Sequence, residues 1–514
     1  MNALYYGDNL DSLRQHVRDE TVDLCYIDPP FNSKRTYNQI YNNIGGEDRA
    51  QAQAFTDMWT WDERAREGFQ EIIGNDKGRY TPQTIALIKG LRDVLKEGSL
   101  LAYLVSMARR IVEIHRVLKP TGSFYLHCDP TTSHYLKLLL DCIFDRRNFR
   151  IEVIWDYSFR LMNLPSFYNR KHDDILFYAK SDESVFHMPK TTWTREDIIR
   201  TRKQQIHTDK DGEEWIWMPG GKGHSKNKLK KLTDIMEEGK AVSDVWQIPV
   251  ISSSSNERMG YPTQKPEVLL ERIISASTDP GGTVLDAYAG CGTTVAVAQR
   301  LGGRQWIGMD ITYQSIALIL KRLEDAFGKD VAAAVLLNGI PQDMESATAL
   351  ARKADDRTRK EFEKWAVLTY TENRGAINEK KGADAGIDGT AYFLTTASET
   401  DKMVFQVKSG HVGRGDIAKL NSDRQREGAE LATLITLEDS TSAMRLEANS
   451  TGVYHHTLMG RQYPCVQIVT VREIIEDHKR LDLPLSLPML KSAPKVPRRP
   501  EQGQLALERI RASG

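Results

Sequence analysis

A chain of 514 residues exceeds one ordinary domain, and 40% hydrophobic with 27% charged residues suits globular folding and excludes a fibrous or largely disordered chain. The formal net charge is zero, so any nucleic-acid surface must be a local patch. Five scattered cysteines (Cys25, Cys128, Cys142, Cys291, Cys465) form no C-x-x-C, which argues against zinc or disulfides and for a reducing cytoplasm; no long apolar run or signal peptide points to a membrane. The first third alternates strands and helices. "TVDLCYIDPP" is a strand running into a turn, where Pro29 and Pro30 end it for want of amide hydrogens. "LLAYLVSMARRIVEIHRVLKPTG" is an amphipathic helix stopped by Pro120 and Gly122. "SFYLHCDP" is a strand, "SHYLKLLLDCIF" a helix and "FRIEVIWDY" a strand, which together imply parallel βαβ units.

Residues 158–250 break the rhythm with Lys, Arg, Trp, Tyr and His, and "KGHSKNKLKK" holds five lysines and no acid. The α/β pattern then returns: helix "KPEVLLERIISAS", strand and glycine turn "GGTVLDAYAGCGTT", helix "VAVAQRLG", strand "RQWIGMDI" and helix "SIALILKRLEDAFG". The boundaries predicted are a first domain over 1–340 with 158–250 inserted, a charged helical linker over 341–356, a second domain over 357–483, and a proline-rich basic tail over 484–514. In the second domain "AYFLTT", "KMVFQVKSG" and "LATLITL" read as strands.

"VLDAYAGCGTT" ends a strand at Asp286 and places Gly290 and Gly292 before a helix. Small residues let a ligand approach the backbone, and a helix N-terminus favours an anionic group. The spacing is neither G-x-G-x-x-G nor G-x-x-x-x-G-K, which weakens dinucleotide and ATP readings. Asp310 closes the next strand, where a ribose-binding acid sits in doubly wound folds. A plain strand–helix turn would explain the glycines but not this acid.

"DAYAGCGTT" resembles the cofactor loop of S-adenosylmethionine-dependent methyltransferases, and "DPPF" resembles the catalytic motif of the DNA amino-methyltransferases. "DPPF", the basic region, "YPTQKP" and the cofactor loop follow one another in the circularly permuted β order, over residues 1–330. The resemblance implies an α/β, Rossmann-like methyltransferase with permuted motifs. It implies methyl transfer from S-adenosylmethionine to an exocyclic amino group in double-stranded DNA. Asp28 and the carbonyl of Pro29 would accept the amine's hydrogens, Pro30 would stiffen the turn, and Phe31 would stack on a base flipped out of the duplex. Cys25 is then strand core. D-P-P-(Y/F/W) usually accompanies adenine targets and S-P-P-Y cytosine targets, which favours adenine without excluding cytosine.

By the same resemblance Asp286, Ala287, Gly290 and Gly292 wrap the methionine end of the cofactor, Asp310 takes the ribose, and Ile311 meets the adenine ring. Thr263 and Lys265 hold the cofactor's carboxylate. Asp8 matches a cofactor-side G-D element, and a helix N-cap serves it equally well. Asp129 is mostly structural. Lys222, Lys226, Lys228, Lys230 and Lys231 suit DNA phosphates, with Trp215, Trp217 and Arg202 for base edges or stacks.

"GADAGIDGTAYF…KMVFQVKSG" carries a second chemistry. Asp388 precedes one strand, and Gln406 and Lys408 alternate onto one face of the next. An acid holding Mg²⁺ beside a lysine cleaves phosphodiesters. The pattern resembles the Mrr-type PD-(D/E)xK restriction endonucleases over 357–440, a smaller α/β fold. That resemblance makes Asp388 and Gln406 metal ligands and Lys408 the catalytic lysine. Glu363, after Phe362, is a secondary candidate that reads better as a solvated helix residue, and Asp384 reads as part of the turn. The combined expectation is a cytoplasmic restriction–modification chain. The alternatives are a methyltransferase, for adenine or N4-cytosine, with an inactive nuclease-fold DNA-binding domain, and a non-enzymatic DNA-binding sensor of S-adenosylmethionine. A homodimer stays open.

Overall fold

A computed structural model describes residues 2–30, 36–40, 51–56, 59–157, 168–203, 205–218, 228–252, 255–259, 261, 263–352, 356–372, 374–378, 386–395 and 400–484. Phe31, Lys222, Lys226 and Asp384 lie outside them, as does the side chain of Arg202.

Nine strands form the main sheet: β1 (Ala3–Tyr6), β2 (Val22–Ile27), β3 (Leu118–Cys128), β4 (Phe149–Asp156), β5 (His172–Ala179), β6 (Val245–Gln247), β7 (Thr283–Asp286), β8 (Gln305–Asp310) and β9 (Leu336–Asn338). Their order is β6-β4-β5-β3-β2-β7-β8-β1-β9. β5 pairs antiparallel with both neighbours, and the other pairings are parallel. Strands buried on both faces read as continuous apolar runs, which is why "VDLCYI" shows no alternation. One core, including Cys25, Ile27 and Leu104, covers one face, and a second, including Leu24, Tyr26 and Trp306, covers the other.

The helices used below are α1 (Asn9–His16), α2 (Ser99–Val117), α3 (Glu267–Ser277), α4 (Thr293–Leu301), α5 (Tyr313–Phe327), α6 (Met344–Ala351) and α7 (Asp356–Tyr370). Asp8 caps α1, accepting from the Leu10 N–H at 2.8 Å. α2 ends at Val117, just before the proline expected to stop it. Among the described residues no helix is long and apolar enough to cross a membrane.

Two expectations change. The interval 158–250 is not all insertion, because β5 and β6 within it belong to the main sheet. Their short apolar runs are hidden in sequence by polar and basic flanks. What lies between them is a small unit around Ile198, Ile216, Leu232 and Ile235. The linker expected over 341–356 contains α6, whose Ala347, Leu350 and Ala351 are buried.

The second domain is a five-stranded sheet: β10 (Ala376–Ile377), β11 (Gly389–Leu394), β12 (Thr400–Lys408), β13 (Leu431–Thr436) and β14 (Val466–Thr470), in that order. The first three are antiparallel, and β12, β13 and β14 are parallel. Its core gathers Phe362 and Trp365 of α7 with Phe405 of β12, and also Tyr313 and Ala317 of α5 from the first domain. The two domains therefore share one hydrophobic core.

Candidate active sites

A cavity of about 1100 Å³ opens at the carboxyl ends of β1, β2, β7 and β8, where open α/β sheets bind ligands. Asp28, Asp286 and Asp310 all line it. Strand β2, which carries the D-P-P-F turn, precedes β7 by hundreds of residues but pairs with it directly, Leu24 beside Val284 and Cys25 beside Leu285. That pairing is the permuted order in three dimensions.

Asp310 is held by its own turn and its neighbour's. One oxygen accepts from the Gly290 N–H at 2.9 Å, and the other from the Thr312 N–H and hydroxyl, each at 2.9 Å. Burial pushes its carboxyl up despite these donors. Asp286 accepts from the Tyr288 N–H at 3.0 Å and the Thr294 hydroxyl at 2.6 Å. Burial, with the Asp28 and Asp310 carboxylates adding to it, pushes Asp286 up to about 7. Gly290 and Gly292 have φ of +52° and +72°. A Cβ at Gly292 would lie 2.7 Å from Ile319 Cγ1, so glycine is required there by both backbone and space.

Asn9 donates its amide to the Ala287 carbonyl at 2.7 Å. Arg110 of α2 reaches Asn9 Oδ1 at 2.6 Å and both oxygens of Asp8 at 2.9 and 3.0 Å. Asp8 thus caps α1, pairs with Arg110 and lines the cavity. Thr263 and Ile311 line it as well. Lys265, expected beside the cofactor's carboxylate, forms an ion pair with the carboxylate of Asp28. Pro29 is buried and Pro30 borders the cavity. Burial pushes the Cys25 thiol well up, as befits a core residue and not a nucleophile. Asp129, 2% exposed, accepts from Thr131, Thr132 and Arg170, a local structural role.

A buried network begins at Tyr26, two residues before Asp28, and joins residues distant in sequence. The Tyr26 hydroxyl meets His127 Nδ1 at 3.0 Å, His127 Nε2 meets Asp173 at 3.2 Å, and Tyr157 donates to Asp173 at 3.2 Å. The available signal was His127, a polar residue inside the apolar strand "SFYLHC".

In the second domain Asp388 directly precedes β11. Its carboxylate accepts from the Val407 N–H at 2.7 Å, and its own N–H donates to the Phe405 carbonyl at 2.8 Å. Met403, Phe405 and Val407 point into the shared core, which leaves Gln406 and Lys408 together on the other face, as alternation requires. Gln406 is 2% exposed and donates to the Gly386 carbonyl at 2.7 Å. Its Oε1 is buried and has no hydrogen-bond partner among the described residues. Gly386 has φ of +85°, and a Cβ there would lie 2.7 Å from Gln406 Nε2. Burial raises the Asp388 carboxyl, and the Lys408 ammonium opposes the rise.

Glu363 of α7 is half-buried and not a solvated residue. Burial, followed by the Asp388 carboxylate, pushes it up to about 7, and Lys408 opposes this. It therefore shares the field of the Asp388 site. Among the described residues no group of three His, Cys, Asp or Glu side chains is arranged as a metal cluster. The site offers carboxylates together with the unpartnered amide oxygen of Gln406.

Lys228, Lys230 and Lys231 form a strand antiparallel to Glu214–Met218. Lys230 pairs with Glu238. Lys231 pairs with Glu213 at 2.5 Å and lies 5.4 Å from the Trp215 ring centre. Trp217 is 43% exposed.

Comparison with known proteins matches both halves. Residues 22–321 match the N6/N4 family model described as DNA methylase, and residues 354–461 match the Mrr catalytic-domain model described as restriction endonuclease. The chain is 29% identical over 327 residues to DNA adenine methyltransferase YhdJ of Escherichia coli (strain K12), covering 63% of this chain and 83% of that protein. It is 44% identical over 324 residues to Type II methyltransferase M2.LlaDCHI of Lactococcus lactis subsp. cremoris, covering 63% and 89%. It is 28% identical over 313 residues to Type II methyltransferase M.BamHI of Bacillus amyloliquefaciens, covering 60% of this chain and 55% of that one. Among solved structures, the M1.HpyAVI–SAM complex is 16% identical, covering 63% of this chain and 99% of that chain with a TM-score of 0.33.

Proposed function

The chain belongs to the N6/N4 DNA methylase family and carries an Mrr-type restriction endonuclease domain, and we propose that it both methylates adenine in duplex DNA and cleaves DNA. The observation that carries the first activity is the meeting of Asp28, Asp286 and Asp310 in one cavity at adjacent strand ends. Three carboxylates facing a single cavity suit a cationic ligand with hydroxyls to bind. S-adenosylmethionine fits both demands, and when bound it supplies an electrophilic methyl on a sulfonium. Asp310 would take the ribose hydroxyls, and Asp286, Ala287, Gly290 and Gly292 the methionine end, with Thr263, Ile311 and Asp8 around the rest.

An aryl amine is a poor nucleophile because its lone pair is shared with the ring. Asp28 and the Pro29 carbonyl accept its two hydrogens and favour a more sp³-like nitrogen. The ion pair with Lys265 keeps Asp28 aimed until the amine arrives. Flipping the base costs a few kcal/mol, and stacking on Phe31 returns about 1–3 kcal/mol. Adenine is preferred because the motif reads D-P-P-F, and because one similar protein is named an adenine methyltransferase.

For the second activity, Asp388 and the free oxygen of Gln406 would hold Mg²⁺, whose chemistry there is to stabilise developing phosphate charge. Lys408 adds a fixed positive charge on the same face. DNA phosphates would meet Lys222, Lys226, Lys228, Lys230 and Lys231. Purified protein is expected to transfer labelled methyl from S-adenosylmethionine to duplex DNA, and Asp28→Ala to abolish the transfer. Equal labelling by the variant would remove Asp28 from the chemistry.

A further inference from the structure

Helix α7 belongs by sequence to the nuclease domain, yet its Lys360, Glu361 and Lys364 line the cavity that holds Asp28, Asp286 and Asp310. Glu361 is 7% exposed. Its Oε2 accepts from the Tyr6 hydroxyl at 3.2 Å and from the Tyr313 N–H at 3.1 Å, and its Oε1 accepts from Lys364 at 2.9 Å. Tyr6 is the last residue of β1. Tyr313 is the first of α5, three residues past Asp310. One carboxylate thus fastens the nuclease helix to both chain segments beside Asp310. Burying a carboxylate is costly unless its oxygens are hydrogen-bonded, and here both are.

The bond is one part of a wider joint. The Tyr313 hydroxyl meets Thr369 Oγ1 at 3.1 Å, further along the same helix, and Phe362 and Trp365 pack with Tyr313 and Ala317. On its other side the helix packs on β12, the strand that carries Gln406 and Lys408: Phe362 and Trp365 share a core with Phe405 and Val407, and the Tyr370 ring centre lies 6.2 Å from that of Phe405. A single helix therefore borders both sites.

We propose that Glu361 is a positioning residue for the Asp310 end of the cofactor pocket, and that α7 transmits occupancy of that pocket to the Asp388–Gln406–Lys408 site. The proposal rests on reading the cavity as the S-adenosylmethionine site. A ligand seated against α7 restrains the helix, and the same helix packs on β12, so order gained on one side is gained on the other.

The test uses the full chain and S-adenosylhomocysteine, which binds without transferring a methyl. Calorimetry gives affinity, and hydrogen exchange read by mass spectrometry gives local order. Binding is expected to slow exchange over 359–370 and also over 403–408. Glu361→Ala is expected to weaken binding roughly tenfold, the loss of a hydrogen-bonded charged group, and to abolish the slowing over 403–408. Glu361→Gln keeps an acceptor for Tyr6 and Tyr313, and is expected to recover most of the affinity. Saturable binding to the unaltered chain with unchanged exchange over 403–408 overturns the coupling. Unweakened binding by Glu361→Ala, or no recovery by Glu361→Gln, overturns the positioning role. If Glu361→Ala does not fold, the exchange result on the unaltered chain decides the coupling, and Tyr6→Phe, which removes one donor to Glu361, decides the positioning: binding weakened several-fold supports it, and unchanged binding overturns it. Absence of saturable binding to the unaltered chain sinks the cofactor reading itself, a result distinct from the others.

Discussion

The two sites treat their polar atoms differently. In the first-domain cavity Asp310 accepts three hydrogen bonds, Asp286 accepts two, and Asp28 is paired with an ammonium. In the second domain Asp388 has a backbone donor, but Gln406 Oε1 has no partner among the described residues, and Glu363 is crowded by a like charge. A buried polar atom without a partner needs an explanation, and a cation supplies one. On the proposed reading, the first site takes a ligand that brings its own hydrogens, and the second takes a cation from solution.

The largest effect that tests this difference is Asp388→Ala. Mg²⁺-dependent cleavage of plasmid DNA should fall by at least about 10³-fold while methyl transfer survives. Loss of both activities in one folded preparation would break the separation of the sites. Next comes Lys265→Met, which leaves the Asp28 carboxylate without its ammonium. Chemical denaturation should report a loss of about 1–3 kcal/mol, and labelled transfer should drop as well. Unchanged transfer would show that Asp28 needs no aiming partner.

Gly386→Ala is smaller. Its left-handed backbone and the approach of Gln406 Nε2 should cost about 1–2 kcal/mol in denaturant titration and impair cleavage more than methylation. The smallest effect is on pH. Asp286 is neutral below its raised pKa and ionised above it, so affinity for the cationic cofactor should rise by up to about tenfold as pH climbs through about 7, with proton release on binding. The stability of the unliganded chain moves the other way. The unfolded aspartate ionises near its ordinary value of about 3.9 while the folded one stays neutral to about 7, so this contribution is full below pH 4 and is lost as pH rises toward 7. Affinity that is flat across pH 6–8 would remove Asp286 from the binding site.

Local geometry was legible in the sequence. Pro29-Pro30 ends β2, Asp310 closes β8, and Gln406 and Lys408 share a face of β12, all from short stretches that carry their own geometry. What stayed hidden depends on distant partners. Lys265 meets Asp28 across 237 residues of chain, and Glu361 meets Tyr6 across 355. Nothing in "RKEFEKWAVL" separates the buried Glu361 from the acids around it, because its partners come from the other domain. β1 escaped because four apolar residues show no period, although it lies inside the main sheet beside β8.

The core shared by α5, α6 and α7 has a practical consequence for anyone dividing the gene. A cut between 341 and 356 would leave Tyr313 and Ala317 facing water on one fragment and Phe362 and Trp365 on the other, with Glu361 stripped of its two tyrosines. Each fragment would carry a sticky apolar face, so the methylase portion is expected to express poorly when cloned alone. The two halves are thus expected to be inherited as one piece, and recombination that swaps the nuclease-fold half is expected to need a matching α5 surface.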